Sequence, residues 1–134
     1  MMEVIDYFAP NSEDENGEFW DPWDALGQQC GGYSSEVDGD VIRVLRAIRD
    51  GLARSRSNEP GLGFYCTEIA EALGLAPSHV ELLQYMFCSA GWCEYGTSPR
   101  GCWFAHDKGE NFGDRLIEAW EAYYLRHWGE SAPA

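Results

Sequence analysis

Four residues in the second half of the chain are of the types that hold soft metal ions: Cys88, Cys93, Cys102 and His106, spaced C-x4-C-x8-C-x3-H. Three thiols and an imidazole make a legitimate tetrahedral zinc set, although this spacing is not one of the common ones. To meet on one ion, Cys88 at a helix end and two cysteines on facing strands would have to share a face. A domain with this much apolar core has little need of a structural metal, so the expectation is free thiols, buried or half-buried, and no metal or other cofactor. Nucleophilic catalysis would need a cysteine or serine with a histidine poised beside it. His79, His106 and His127 form no recognisable motif of that kind. Carboxylates are plentiful, but solvated acids lack the apolar pocket that raises a pKa for acid catalysis. Gly61-Leu62-Gly63 lacks the third glycine of a dinucleotide loop, and there is no phosphate-binding loop. The chain reads as a non-enzyme.

Charge is the strongest compositional signal. The 134 residues carry a formal net charge of -14, from 23 Asp and Glu against 9 Lys and Arg. Residues 1–40 hold eleven of the acids and none of the bases. A field of that sign repels phosphate backbones and attracts basic surfaces. Hydrophobic residues make up 45% and aromatics 14%, enough apolar area to order one domain of roughly 100–150 residues. Five cysteines, an odd number, without an export signal or a membrane-length apolar run, place the chain in the cytoplasm with reduced thiols.

The elements that must position these groups follow from periodicity. Residues 1–37 alternate acids with large apolar groups, including Phe19-Trp20-Asp21-Pro22-Trp23-Asp24, as segments do that order by docking on their own core or on a partner. Asp40 suits the N-cap of a helix from Val41 to about Ser55, with Val41, Val44, Leu45, Ile48 and Leu52 on one stripe. Arg43, Arg46 and Arg54 fall on the opposite side, a solvated face salt-bridged through Asp50. Thr67 suits the N-cap of a short helix over Glu68–Leu73 ended by Gly74. Ser78 and Glu81 match a capping box for a helix from His79 to Ala90. Trp92–Tyr95 and Cys102–Ala105 read as a hairpin. Asn111 suits the cap of a last helix to about Trp128, with the stripe Phe112, Leu116, Trp120, Tyr123 and His127.

The run from Glu68 to Val80 resembles a helix-turn-helix: Ala70 is the small residue that lets two helices cross and Gly74 makes the turn. Val80, Leu83 and Phe87 sit where the third helix of the winged helix-turn-helix superfamily faces the core, Gly91-Trp92 where it enters the wing, and Pro99-Arg100-Gly101 at a wing tip. The resemblance covers about residues 41–106. It implies a mainly α fold with a small β-hairpin wing for the domain over 38–108; the arm over 1–37 and the C-terminal aromatic helix over 109–134, packed on the domain, are additions that the superfamily does not explain.

The outward face of the third helix becomes Glu81, Leu82, Tyr85 and Cys88, with Met86 turned inward and Gln84 at the edge. No Lys or Arg occurs between Arg56 and Arg100, whereas groove-reading helices draw on Arg, Lys, Asn or Gln. Such a face has the composition of a protein contact. The expected partner is therefore another protein with a basic, nucleic-acid-binding surface. It would be met by Glu81, Leu82 and Tyr85 together with the arm's Glu13, Asp14, Glu15, Glu18, Trp20, Asp21, Trp23 and Asp24. Duplex DNA presents a charge about every 1.7 Å, and the arm offers a coarse copy. In composition alone the chain is similar to small acidic phage or mobile-element inhibitors, the anti-CRISPR and DNA-mimic proteins. The alternative is a transcription regulator that holds DNA through Arg43, Arg46, Arg54, Arg56 and Arg100, with a homodimer joined through Trp120, Tyr123, Tyr124 and Trp128 of the last helix.

Overall fold

In the computed structural model the described residues are 22, 34–56, 66–95, 102–109 and 111–133. They form four α-helices and one two-stranded antiparallel sheet: α1 (Ser35–Arg56), α2 (Cys66–Leu73), α3 (Pro77–Ser89), β1 (Cys93–Tyr95), β2 (Cys102–Phe104), a 3-10 turn (His106–Lys108) and α4 (Phe112–Trp128). This is a mainly helical fold with a small sheet. No described helix is long and apolar enough to cross a membrane. The acidic aromatic segment, apart from Pro22, lies outside the described residues up to position 33, and so does the Pro99-Arg100-Gly101 tip.

α1 starts earlier than the apolar stripe suggests. Ser34 caps it, its Oγ accepting the Val37 amide at 3.1 Å while its carbonyl accepts that of Asp38 at 3.0 Å. Glu36 and Asp38 occupy the positive end of the helix dipole. Asp40 is thus a residue of the second turn and not the cap, and residues 35–37 belong to the helix and not to the arm. The earlier start has a tertiary cause: Asp38 is wholly buried and its Oδ2 accepts a 2.7 Å hydrogen bond from Trp128 Nε1 at the far end of the chain.

Val41, Val44, Leu45 and Ile48 are fully buried, as their spacing predicts, and so is Ile42. The side chain of Leu52 lies outside the described set. One stripe is insufficient because α1 touches α4, β2, α2 and α3, so apolar side chains on more than one flank leave water. Burying each of them contributes about 1.5–3 kcal/mol.

α2 and α3 end in the same way. Gly74, at φ +71°, places its own amide on Glu71 O and that of Leu75 on Ala70 O (2.9 Å). Gly91, at φ +80°, places its amide on Cys88 O and that of Trp92 on Phe87 O (3.0 Å). Both satisfy the last carbonyls of a helix through a left-handed residue, and at the second the Trp92 ring packs 6.0 Å from that of Phe87. Ala70, Val80, Leu83 and Phe87 are buried. At the other ends the expected caps are replaced. Pro77 opens α3 after Ala76 with no side-chain cap, so Ser78 lies inside the first turn. Thr67 is an exposed residue of α2, which begins at Cys66.

The strands pair Cys93 with Phe104, Glu94 with Trp103 and Tyr95 with Cys102. Alternation turns Cys93, Cys102 and Phe104 inward. On the outer face, Trp103 Nε1 donates to Glu94 Oε1 at 2.9 Å. α4 buries Phe112, Leu116, Ile117, Trp120, Tyr123 and Tyr124; His127 is exposed rather than part of the buried stripe, its ring stacked 5.3 Å from that of Tyr123. Trp120 meets Trp92 edge to face at 6.3 Å, which ties α4 to the entry of the hairpin. Helix propensity alone would make alanine better than glycine in α4 by about 1 kcal/mol. A Cβ on Gly113, however, would stand 2.5 Å from the Phe104 ring. Gly113→Ala should therefore lower the unfolding free energy by about 1–3 kcal/mol, the usual cost of overpacking. Denaturant titration reads this directly, and an unchanged or raised midpoint would show that the α4–β2 contact is looser than described.

Candidate protein-binding surface and thiol cluster

α3 carries the surface that differs most from ordinary core packing. Its inner side is spent on Val80, Leu83 and Phe87, with Met86 half-buried rather than turned fully inward. Its outer side leaves Leu82 56% and Tyr85 61% exposed, next to exposed Glu81. The other large exposed apolar side chain among the described residues, Leu125 at 53%, belongs to α4. Gln84 is not at the edge of this face: it is 2% exposed, drawn inward beside the cysteines. The one side chain of the face suited to reading a base edge is therefore unavailable to a groove. Cys88 is half-buried rather than outward.

Among the described side chains, the arginines of α1 are tied to neighbouring elements rather than forming a solvated face. Arg43 donates to Leu73 O at 2.9 Å and lies 3.6 Å from Asp40, so it holds the end of α2. Arg46 donates to Pro133 O and, at 3.2 Å, to Glu121 Oε2, so it holds α4 and the C-terminal segment. Asp50 pairs with Arg49, which also reaches Asp114 of α4 at 3.4 Å. The predicted Asp50–Arg46 pairing fails because α4 supplies a partner that helical spacing cannot reveal. Asp40 also takes His79 Nε2 at 3.3 Å, joining α1 to the start of α3. The side chains of Arg54 and Arg56, and Arg100 as a whole, lie outside the described residues.

Nor do the aromatics of the last helix face outward. Trp120, Tyr123 and Tyr124 are buried and Trp128 is half-buried on Asp38, so none of the four presents the open ring face that the dimer reading required. The stripe through Trp120 and Tyr123 foretold a helix packed on the domain, but a stripe does not say how far round the helix its neighbours reach, and here they also cover Tyr124.

Cys88, Cys93 and Cys102 do come together. The two strand cysteines share the inner face, and the Cys102 thiol is hydrogen-bonded with Cys88, Cys93 and Gln84. The contact with Cys88 favours the thiolate of Cys102. The hydrogen bond with Cys93, burial and the charge on Cys93 act the other way and prevail over it and over Gln84, so this thiol is held well above its ordinary range. Cys93 and Cys102 are buried and no described cysteine is in a disulfide. The side chain of His106 lies outside the described set. Among the described residues no group of three or more His, Cys, Asp or Glu is arranged to hold a metal ion.

With this geometry in hand, comparison with known proteins adds no relative: no family model, curated protein or solved structure matches the chain.

The surface and the clamps differ in what they should cost when removed. Leu82→Ala with Tyr85→Ala should change the unfolding free energy by less than about 0.5 kcal/mol per site, as exposed substitutions do. Arg46→Ala should lower it by about 1 kcal/mol through the lost bond to a backbone carbonyl, the half-exposed ion pair to Glu121 adding little. Denaturation of the variants side by side checks both, and a large loss in the double variant would mean that the face is covered.

Proposed function

We propose that this chain is a non-enzymatic, cytoplasmic winged helix-turn-helix protein that acts by occupying a basic surface of a nucleic-acid-binding protein, in the manner of phage or mobile-element inhibitors. The order α1, α2, α3, hairpin is consistent with that superfamily, with α2, the Gly74 turn and α3 as the helix-turn-helix and the hairpin as the wing. A fold of this kind serves DNA and protein partners alike, so the reading rests on the site and not on the architecture.

The observation that carries it is the outer face of α3, where exposed Leu82 and Tyr85 stand beside Glu81 in a stretch with no Lys or Arg from position 57 to 99. Tyrosine and leucine flanked by acid suit a pocketed, positively charged protein surface better than a phosphate backbone. Arg43 and Arg46 are committed to contacts within the chain, which weakens the regulator alternative. The acids of residues 1–33, whose contacts lie outside the described set, would raise the encounter rate with a basic partner through their charge.

Two measurements test the reading. In a mobility-shift assay at low salt, random duplex DNA should remain unshifted; a shift with a steep salt slope would establish the regulator instead. In affinity capture from a host lysate, the wild-type chain should retain a nucleic-acid-binding protein that Leu82→Ala with Tyr85→Ala retains at least about tenfold less, since truncating a central interface anchor costs more than about 1 kcal/mol. Equal retention by both would remove α3 from the interface.

A further inference from the structure

We propose that the groove between the start of α1, the end of α2 and α4 is a binding site for an extended, proline-bearing peptide, held in the resting molecule by the chain's own Ala132-Pro133. Among the described residues the groove is an open cavity of about 570 Å³ whose lining includes Gly39, Asp40, Arg43, Leu73, Leu75 and Tyr124, and Pro133 borders it. The seat of Pro133 shows what the site accepts. Its carbonyl takes a hydrogen bond from Arg46 Nη1. Its ring lies on the backbone of α1, since a Cβ on Gly39 would stand 2.9 Å from Pro133 Cγ and 3.3 Å from Cδ. The same point is 3.9 Å from Tyr124 Cε2, so the proline meets a bare stretch of helix beside a buried aromatic ring. Glycine is a poor helix residue, and in the second turn of α1 this close approach is what its missing side chain provides.

A ring in a glycine notch, with an arginine on the carbonyl that follows it, suits an extended proline segment. Proline is already restricted in φ, keeps the residue before it extended and loses little entropy on docking. The tail reaches this seat across solvent: Gly129, left-handed at φ +74°, ends α4, residues 129–131 are exposed, and Ala132 and Pro133 return half-buried. A short segment of that kind forfeits little packing when it leaves. Beside Pro133 the groove has room that Ala132-Pro133 does not fill. Leu73 and Leu75 offer contact to an apolar side chain there, and exposed Glu36 in the lining favours a basic side chain over an acidic one. The ligand class is therefore a proline with an apolar and a basic residue next to it in extended chain. The outer face of α3 takes no part in this lining, so occupancy of the groove is independent of the function proposed above.

The probe is a fluorescently labelled peptide that copies residues 129–133 and continues with leucine and arginine, titrated by anisotropy into the full-length chain. Wild type should bind it weakly because its own tail competes. Full-length Pro133→Gly should bind at least about tenfold more tightly, the gain expected when the tail fills the notch in about nine-tenths or more of the molecules. Adding Gly39→Ala to Pro133→Gly should reverse that gain by filling the notch, and exchanging the peptide's proline for alanine should do the same. Equal affinity for the two chains, binding that survives either change, or no binding at all would overturn the proposal. So would dimerisation of the wild type that Pro133→Gly abolishes, since the notch would then belong to the tail of a second copy. If Pro133→Gly does not fold, hydrogen exchange on the wild type decides: excess peptide should speed exchange at the Ala132 amide, and an unchanged rate would count against the site.

Discussion

One helix is buried from several directions at once, and the rest of the structure follows from that. α1 meets α2, α3, β2 and α4, and Val41, Ile42, Val44, Leu45 and Ile48 are all removed from water. Among its described residues, a helix so enclosed has no broad solvent face left for polar side chains. These sit on the seams between α1 and its neighbours, where a long side chain lays its methylenes on the core and sends its charged head to whatever acceptor borders the seam. Arg43 finds a carbonyl at the end of α2. Arg46 finds a carbonyl and a carboxylate at the other side of the molecule, and Asp38, wholly buried, finds the Trp128 indole.

The electrostatic character of the surface is a by-product of this arrangement. A chain with 9 cationic residues against 23 acidic ones commits several of its few cations to holding helices together. That leaves Glu71, Glu81 and Glu118 exposed on α2, α3 and α4. The outer face of α3 then offers a tyrosine and a leucine with an acid beside them. A phosphate backbone gains nothing by approaching such a face, whereas a basic protein surface with an apolar pocket gains both burial and charge complementarity.

The inward faces of α3 and the hairpin solve a different problem. Gln84 and three cysteines fill a region that larger aliphatic side chains would otherwise occupy, between Phe87, Trp92 and the inner face of β2. Thiols behave there as small hydrophobes that still share hydrogen bonds. The Cys102 thiol is hydrogen-bonded with the Gln84 side chain, and Cys88 is the half-buried member of the three.

The sequence by itself determined which segments become helices and strands, because apolar period and glycine punctuation are local. The stripe of α1, the Gly74 and Gly91 stops, the hairpin and the buried run of α4 could all be read from spacing. The acidic imbalance and the absence of cations on α3 were equally plain, since they need only composition. Tertiary structure alone decided where α1 begins, which arginine meets which acid, that Gln84 turns inward and that Tyr124 and Trp128 also turn to the core side of the last helix. Each of those depends on a neighbour far away in the chain: Trp128 on Asp38, Glu121 on Arg46, α4 against α1. It also brought Cys88, Cys93 and Cys102 together, because a shared strand face is set by register, and register is fixed by pairing across space rather than by the order of residues.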